Sequence, residues 1–257
     1  MYIDSHAHLD DPKYDPDRHE MLMRAREQGI STIINVGYDL ASSQRSVALA
    51  EKYDFIFAAV GIHPHDAQEA DDGTFAELKK MAVHPRVVAI GEMGLDYYRD
   101  LSPREIQQQV FRRQIRLAGE TGLPIIIHDR EAHGDVMKIL KEEQVGDYSG
   151  VLHCFSGSWE MAEECMRMGF YISIAGPVTF NNAGRLKEIA ARVPEDRLLI
   201  ETDAPYLTPE PNRGKRNESS YVFFVAEEIA RLRGIAPEKL GELISNNARR
   251  LFSLTDK

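Results

Sequence analysis

Eight short apolar runs, most of them rich in β-branched residues, recur along the whole chain. They occupy residues 2–4, 32–36, 55–60, 87–91, 124–128, 149–153, 171–174 and 198–201. Their near-continuous apolar character is typical of strands that are buried on both faces, as in a parallel sheet. The runs start 22 to 37 residues apart, which leaves room for a crossover helix between successive strands. The alternation therefore predicts repeated strand–helix units.

The chain has 257 residues and contains no Gly/Ser-rich or Pro-rich linker that would divide it. A closed barrel of eight strand–helix units commonly has about 250 residues. We therefore predict the α/β class and a single (β/α)8 TIM-barrel domain over residues 1–257. An open, doubly wound sheet is the alternative fold.

The segment after the fourth run shows the sequence signals of a helix. Ser102 is the expected N-cap, Pro103 the first helical residue and Glu105 the third, which together form a capping box. Gly122 is the expected stop. The face that we expect to cover the sheet carries apolar residues at three- and four-residue steps: Ile106, Val110, Phe111, Ile115 and Ala118.

Composition limits the partners of this protein. Its 31 Lys and Arg against 41 Asp and Glu give a formal charge of −10, which argues against a surface that coats nucleic acid. A polyanionic ligand must therefore be held locally. The two cysteines imply no disulfide framework, and we find neither a secretory signal nor an apolar run long enough to span a bilayer. We expect a cytoplasmic monomer that does not associate with a membrane and has no obligate protein partner.

Polar residues with metal-binding side chains follow the predicted strands. They are His6 and His8, His63 and His65, Glu92 and Asp96, His128, His153, and Glu201 and Asp203. In a barrel, the C-terminal ends of all strands meet at one end, so residues far apart in sequence become neighbours there. Taken alone, each residue has an ordinary structural explanation, because a buried histidine is usually hydrogen-bonded and a carboxylate at a strand end often caps the next helix.

Six of these residues together predict a metal site: His6, His8, His128, His153, Glu92 and Asp203. Four imidazoles and two carboxylates exceed what one tetrahedral ion needs, and they suit two adjacent divalent ions that share a bridging carboxylate. Such ions can activate a water molecule and polarise an ester oxygen. The ligand set therefore predicts a metal-dependent hydrolase, and it leaves phosphate esters, lactones and cyclic amides open as substrates. Zn²⁺, Mg²⁺ and Mn²⁺ all stay open as the native ion.

Eight motifs occur in order between residues 4 and 218: DSHAHLD, GIHPH, IGEMGLDY, PIIIHDREA, LHCFSG, GPVTFNNA, LLIETDAPYLTP and RGKRNE. Together they resemble the motifs of the TatD-type metal-dependent deoxyribonucleases, a branch of the amidohydrolase-like barrel superfamily. The resemblance covers nearly the whole chain. It implies a (β/α)8 barrel, two divalent metal cations and hydrolysis of phosphodiester bonds in DNA, with exonuclease action on single-stranded ends.

The resemblance also implies a role for each predicted ligand. His6 and His8 would bind the first ion, and His128 and His153 the second. Glu92 would bridge the two ions. Many amidohydrolases instead bridge their metals with a carbamylated lysine after strand 4, so a glutamate at this place favours the nuclease branch.

Asp203 is the sixth ligand, and the resemblance assigns it to the first ion. A carboxylate at the end of strand 8 can hold a nucleophilic water and accept its proton. Asp203 and Glu92 are therefore the expected catalytic residues.

A basic segment, NRGKRNE, follows strand 8 and contains Arg213, Lys215 and Arg216. Barrels often bind phosphate near strands 7 and 8, and guanidinium groups match phosphate oxygens. We therefore predict that these three residues bind the phosphates of a DNA substrate. An exposed basic turn without a partner is the alternative.

His63 is the remaining predicted substrate-binding residue, and it either contacts the substrate or lies behind the metal ligands. Pro64 separates it from His65 in a turn. We therefore do not expect both imidazoles to face the metals.

Two other functions stay open at this point. The first is a small-molecule hydrolase of the same superfamily, acting on a lactone, a cyclic amide or a phosphotriester with the same metals. The second is a non-catalytic protein that binds metal or nucleic acid, which the complete ligand set disfavours.

Overall fold

The computed structural model describes residues 1–144 and 149–254. Within these residues, eight parallel strands form one sheet in the order β1 to β8. The strands are β1 (Tyr2–Ala7), β2 (Ile30–Val36), β3 (Ile56–Val60), β4 (Val87–Asp96), β5 (Ile125–Arg130), β6 (Gly150–Leu152), β7 (Tyr171–Ile174) and β8 (Leu198–Ile200). The α-helices are α1 (Arg18–Glu27), α2 (Leu40–Lys52), α3 (Asp72–Ala82), α4 (Arg104–Thr121), α5 (His133–Glu142), α6 (Trp159–Arg167), α7 (Gly184–Arg192), α8 (Val222–Arg233) and α9 (Pro237–Leu251). The predicted (β/α)8 barrel is confirmed, and each apolar run coincides with one strand.

Strand β1 pairs with the segment that follows β8. Ala7 and Ala204 form a parallel bridge. The N–H of His8 donates to the carbonyl of Ala204 over 2.7 Å, and the N–H of Asp203 donates to the carbonyl of His6 over 3.0 Å. These bonds give the sheet the closure that a barrel requires.

Contacts between residues divide the chain into two compact units. The first, which we call the N/C unit, comprises Met1–Asn35, His153–Met166 and Tyr171–Lys257. The second, the middle unit, comprises Val36–Leu152 and Arg167–Phe170. That residues 1–257 form a single domain stays a prediction, because residues 145–148 and 255–257 lie outside the described part of the chain.

Every residue of β1 and of β4 is buried, as expected for strands covered on both faces. Among the described helices, none is both long and apolar enough to cross a membrane. The cytoplasmic location and the monomeric state stay predictions.

Helix α4 begins differently from its prediction. Its first residue is Arg104, its N-cap is Pro103, and no side chain caps it, so the predicted capping box is wrong. The hydroxyl of Ser102 instead donates to the carbonyl of His65 over 2.7 Å and accepts the N–H of Gln68 over 3.2 Å. Ser102 is therefore used to hold the segment after β3. The stop at Gly122 is confirmed by a left-handed φ of 70°.

The buried face of α4 includes four of its five predicted residues, since Ile106 is only partly buried. It also includes two glutamines. The amide of Gln114 both accepts from the N–H of Ile62 and donates to its carbonyl, over 2.8 and 2.9 Å. The amide of Gln107 makes the same paired contact with the backbone of Asp96, over 2.9 and 3.3 Å. The two amides fix the chain beside His63 and at the end of β4.

Candidate functional site

Three side chains of the N/C unit, His6, His8 and Asp203, form a compact set that we call the N/C group. His6 lies in β1 and His8 directly follows the strand, so alternation turns both imidazoles to the same side. Their Nε2 atoms are 3.3 Å apart. Oδ1 of Asp203 lies 3.8 Å from Nε2 of His6 and 3.5 Å from Nε2 of His8. Both imidazoles are buried.

These distances fit a divalent cation. Four ligand atoms that surround a zinc ion at about 2.0–2.1 Å are about 3.3 Å from one another. The three donor atoms of the N/C group, spaced 3.3 to 3.8 Å apart, nearly have this arrangement. Imidazoles and a carboxylate are also the donors of catalytic zinc sites, which keep a fourth position open. The N/C group can therefore hold a metal ion and leave one position for a ligand.

The carboxylate of Asp203 is prepared for this role by its surroundings. Burial alone would raise its pKa, but the hydrogen bond from His8 and the charges of His6 and His153 outweigh burial and lower the pKa below its ordinary value. Asp203 is therefore ionised at neutral pH, as a metal ligand or a proton acceptor must be.

Asp4 holds the segment that carries Asp203. It is buried, and its carboxylate accepts the N–H of Thr202 over 2.9 Å and the hydroxyl of Thr202 over 2.7 Å. Burial raises the pKa of Asp4 to about 7. Because Thr202 directly precedes Asp203, these two bonds fix the end of β8 against β1.

His153 lies in the same unit and stacks on His6, with ring centroids 4.0 Å apart and 13° between the ring planes. Its Nδ1 is 3.3 Å from Oε1 of Glu201. The buried carboxylate of Glu201 also accepts the N–H of Cys154 over 2.6 Å and the hydroxyl of Ser173 over 2.7 Å. Through the N–H of Cys154, Glu201 holds the segment that carries His153. With His6 the two form a second candidate ligand set of this unit.

The middle unit has its own candidate ligand set, His63, Glu92 and His128, which we call the middle group. Nδ1 of His128 is 2.8 Å from Oε1 of Glu92, and Nε2 of His63 is 3.6 Å from the same oxygen. Gly94 allows this arrangement, because a Cβ at this position would collide with the carbonyl oxygen of His128 on the paired strand.

A second carboxylate, Asp96, supports the middle group. Its Oδ2 lies 3.2 Å from Nε2 of His128 and 2.8 Å from Nε2 of His65. Its Oδ1 accepts the N–H groups of Tyr98 and Arg99, over 3.0 and 2.8 Å. Burial would raise the pKa of Asp96, but the hydrogen bonds from His128, His65 and Arg99 lower it overall. His128 is thus held between two carboxylates.

The imidazoles of His63 and His65 lie near different carboxylates, since Nε2 of His63 is 3.6 Å from Glu92 and Nε2 of His65 is 2.8 Å from Asp96. That they do not both face the metals stays a prediction. Nδ1 of His63 accepts the N–H of His65 over 3.1 Å. A neutral imidazole that accepts at Nδ1 carries its proton on Nε2. In this tautomer, His63 presents an N–H donor at Nε2, which suits contact with an anionic substrate better than metal ligation.

The three basic residues after β8 differ in their surroundings. Arg216 is tied to the carboxylate of Asp17 by two bonds of 2.7 Å, and its Nη1 also donates to the carbonyl of Lys13. Arg213 is 58% exposed, with its guanidinium 4.2 Å from the ring centre of Phe180. Lys215 is exposed.

The structure therefore brings the predicted ligands together in sets: His6, His8, Asp203 and His153 within the N/C unit, and Glu92 and His128 within the middle unit. Which of them bind metal, and how many ions, stays a prediction, as does phosphate binding by Arg213, Lys215 and Arg216. Three residues that support ligands had no predicted role as supports: Asp4, Asp96 and Glu201. For Asp4 and Glu201 the available signal was spacing, since each lies two residues before a predicted ligand.

Comparisons with known proteins bear on this site. A model of the family described as "TatD related DNase" matches residues 3–253. An uncharacterized metal-dependent hydrolase of Bacillus subtilis, YabD, is 51% identical over 254 residues, covering 99% of this chain and 100% of that protein. A protein of Erwinia tasmaniensis named 3′-5′ ssDNA/RNA exonuclease TatD is 38% identical over 258 residues, covering 98% of this chain and 100% of its own. The crystal structure of YJJV, a TatD homologue of Escherichia coli, superposes with a TM-score of 0.93 at 31% identity, covering 99% and 98% of the two chains.

Proposed function

The chain belongs to the TatD-related family of metal-dependent hydrolases, and we propose that it is an exonuclease that removes nucleotides from the 3′ ends of single-stranded DNA. The observation that carries the proposal is the N/C group, whose three donor atoms have the spacing of ligands around one cation. The 3′ polarity and the single-stranded substrate rest on the relative that is named for this activity.

The chemistry requires an activated water molecule and a stabilised phosphate. A divalent cation supplies a Lewis acid for the phosphoryl oxygen and lowers the pKa of the attacking water. Asp203 is ionised and lies within the N/C group, so its carboxylate accepts the proton that the water loses. That two ions bind, with Glu92 as their bridge, stays part of the proposal.

His63 supplies a donor in the middle unit. Its Nε2–H is fixed by the hydrogen bond that Nδ1 accepts, and it donates to an oxygen of the substrate phosphate. Arg213 and Lys215 are the exposed cations that contact the backbone of the strand. Arg216 is the third predicted phosphate contact, and its two bonds to Asp17 also make it a support for the segment that carries the other two.

The experiment uses single-stranded DNA with a label at its 5′ end and purified protein that has been freed of metal. Mg²⁺, Mn²⁺ or Zn²⁺ is then added back, and the products are separated by length. We expect a ladder that shortens one nucleotide at a time and keeps the 5′ label, and we expect it only with added metal. The same strand labelled at its 3′ end should release a labelled mononucleotide at once.

Two results would contradict the proposal. Products of scattered length in early time points would indicate an endonuclease. Absence of shortening under every metal, with turnover of a lactone or a phosphotriester by the same protein, would favour the small-molecule hydrolase.

A further inference from the structure

The N/C unit contains a cavity of about 470 Å³, and the residues that directly follow His153 in sequence line it. Its wall is formed by the segment that follows β6, by the segment that follows β7 and by the first turns of α7. Pockets of about 300–1,000 Å³ are typical of sites for small molecules and cofactors. The cavity is therefore large enough for one nucleotide.

The interior of the cavity is apolar. Phe155, Ala175 and Ile189 line it and are buried. The N–H of Phe155 donates to the carbonyl of Ser173 over 3.0 Å, which ties this residue to β7. Gly157 leaves space for the ring, since a Cβ there would lie 2.8 Å from Cζ of Phe155. Phe155 is only 4% exposed, so its phenyl ring supports the cavity from behind. The partly exposed side chains of Pro177 and Leu186 form the apolar surface that a ligand can contact.

The mouth of the cavity is polar and positively charged. Asn182 and Arg185 both line it and are exposed. Nη2 of Arg185 donates to the carbonyl of Ser156 over 3.1 Å, which holds the guanidinium across the opening. An amide and a guanidinium offer the hydrogen-bonding groups that the edge of a nucleobase and a phosphate require.

A second guanidinium, which belongs to the segment after β8, contacts the segment that leads into α7. Arg213 stacks on Phe180, which precedes Asn182 by two residues. One carboxylate is near it, since Glu210 lies 4.0 Å from Nη1 of Arg213. Arg185 therefore lines the cavity, and Arg213 contacts the segment that leads into the cavity wall. On a chain with a formal charge of −10, these two cations can bind a polyanion locally.

The cavity is connected to the candidate ligands through Glu201. Cys154 forms part of the cavity wall and directly follows His153. Glu201 accepts the N–H of Cys154 over 2.6 Å, and the same oxygen lies 3.3 Å from Nδ1 of His153. A molecule in the cavity therefore lies against the segment that carries a predicted metal ligand.

From these observations we propose that the cavity binds a nucleobase of the strand that is being cleaved, with its face against Pro177 and Leu186 and its phosphate toward Arg185. This inference rests on the proposed exonuclease activity. Because the accessible surface is apolar and the polar groups are few, recognition depends on apolar contact and shape, and all four bases are accepted.

The direct test is calorimetric binding of dAMP and dTMP to the full-length, metal-loaded protein. Leu186→Trp fills the cavity from α7, and Glu188→Trp places the same side chain on an exposed position of the same helix as a matched control. We expect Leu186→Trp to weaken binding of both nucleotides at least tenfold and Glu188→Trp to leave it unchanged. Equal affinity in both variants, or equal affinity of dAMP and ribose 5-phosphate for the unmodified protein, would overturn the proposal.

A second pair of variants keeps the test decisive if Leu186→Trp fails to fold. Arg185→Gln removes the charge at the mouth, and Arg192→Gln removes a charge from the far end of the same helix. We expect the first to raise KM for single-stranded DNA at least threefold with a smaller change in kcat, and the second to change neither. Identical KM values in the two variants, with DNA still cleaved, would refute the cavity and leave the exonuclease standing. Nucleotide binding that depends on Leu186 in a protein that does not cleave DNA would instead refute the exonuclease.

Discussion

The N/C group and the middle group contain similar side chains but are stabilised in different ways. In the N/C group, one carboxylate faces two imidazole Nε2 atoms, and the three donor atoms are 3.3 to 3.8 Å apart. In the middle group, His128 is hydrogen-bonded to Glu92 on one side and to Asp96 on the other. The first arrangement has the spacing of a metal site, whereas the second is held together by its own hydrogen bonds. We infer that the middle group keeps its arrangement in the metal-free protein and that metal completes the N/C group, while Glu92 and His128 remain proposed ligands.

The largest expected effect is on catalysis, from Asp203→Asn. The amide keeps the shape of the side chain but loses the charge and the ability to accept a proton, so kcat should fall by about 10³-fold or more, within the range of general-base removal. The measurement is the rate of DNA shortening at saturating metal. Asp196→Asn, an exposed carboxylate just before β8, is the matched control and should be unchanged. A loss below tenfold in Asp203→Asn would show that the N/C group is not catalytic.

The next effect is on metal affinity, from His8→Ala. Mutation of a residue that only supports a metal ligand typically lowers metal affinity by roughly 10–100-fold. Because His8→Ala removes one of the two imidazoles of the N/C group, it should lower the affinity for Zn²⁺ by more than this. Competition with a chelating dye measures this affinity. His19→Ala, an exposed histidine of α1, should bind Zn²⁺ as the unmodified protein does. If His8→Ala retains full affinity, the N/C group is not the metal site.

Asp96→Asn tests the other half of the comparison. Because Asp96 accepts from two imidazoles and two backbone N–H groups, its loss should destabilise the metal-free protein by about 2 kcal/mol. Urea unfolding of metal-free protein measures the free energy, and Asp203→Asn serves as the comparison, with an expected loss below about 1 kcal/mol. Equal losses in the two variants would remove the distinction between the groups.

The smallest effect concerns the basic segment. Hydrogen bonds from Arg216, and then those from Arg24, hold the pKa of Asp17 at about 2, below its ordinary value of 3.8. Asp17 therefore stabilises the fold fully above pH 3.8, and this stabilisation is lost as the pH falls toward 2. We expect Asp17→Asn to cost about 1 kcal/mol at pH 7, after a reduction for the partial exposure of the pair, and almost nothing at pH 2.

Arg213→Ala is the contrasting variant for the same segment. It should leave the free energy of unfolding unchanged and raise KM for DNA, because Arg213 is exposed and Arg216 is held by Asp17. Thermal unfolding and steady-state kinetics measure the two quantities. A stability loss in Arg213→Ala equal to that in Asp17→Asn would show that Arg213 supports the fold and would contradict its role as a cation for the substrate.

The barrel was predictable because its signals are local. Each strand is a short apolar run, and a left-handed glycine ends α4 where Gly122 predicts it. The start of α4 was not predictable in the same way. Ser102 has the right place for a cap, but its hydroxyl bonds to the backbone of His65, which is 37 residues away in sequence. A hydrogen bond between residues so far apart in sequence cannot be predicted from the local pattern of a helix start.

The candidate ligands were predictable as residue types, but their supports were not. The histidines and carboxylates were predictable because they lie at or just after the ends of the apolar runs that form the strands. The pairing of Asp4 with Thr202 joins residues 198 positions apart, and two buried glutamines of α4 occupy places that a helical pattern assigns to apolar residues. In the sequence, Arg216 cannot be distinguished from Arg213, because both are arginines of the same basic segment. Only the structure shows that Arg216 is bonded to Asp17.

A crystal structure of the zinc-loaded protein, with anomalous data collected at the zinc absorption edge, would show directly whether the N/C group binds metal. We predict a strong anomalous peak about 2.0–2.2 Å from Nε2 of His6, Nε2 of His8 and an oxygen of Asp203, with those side chains otherwise in their present positions. Zinc bound elsewhere, with no peak among these three atoms, would contradict this prediction.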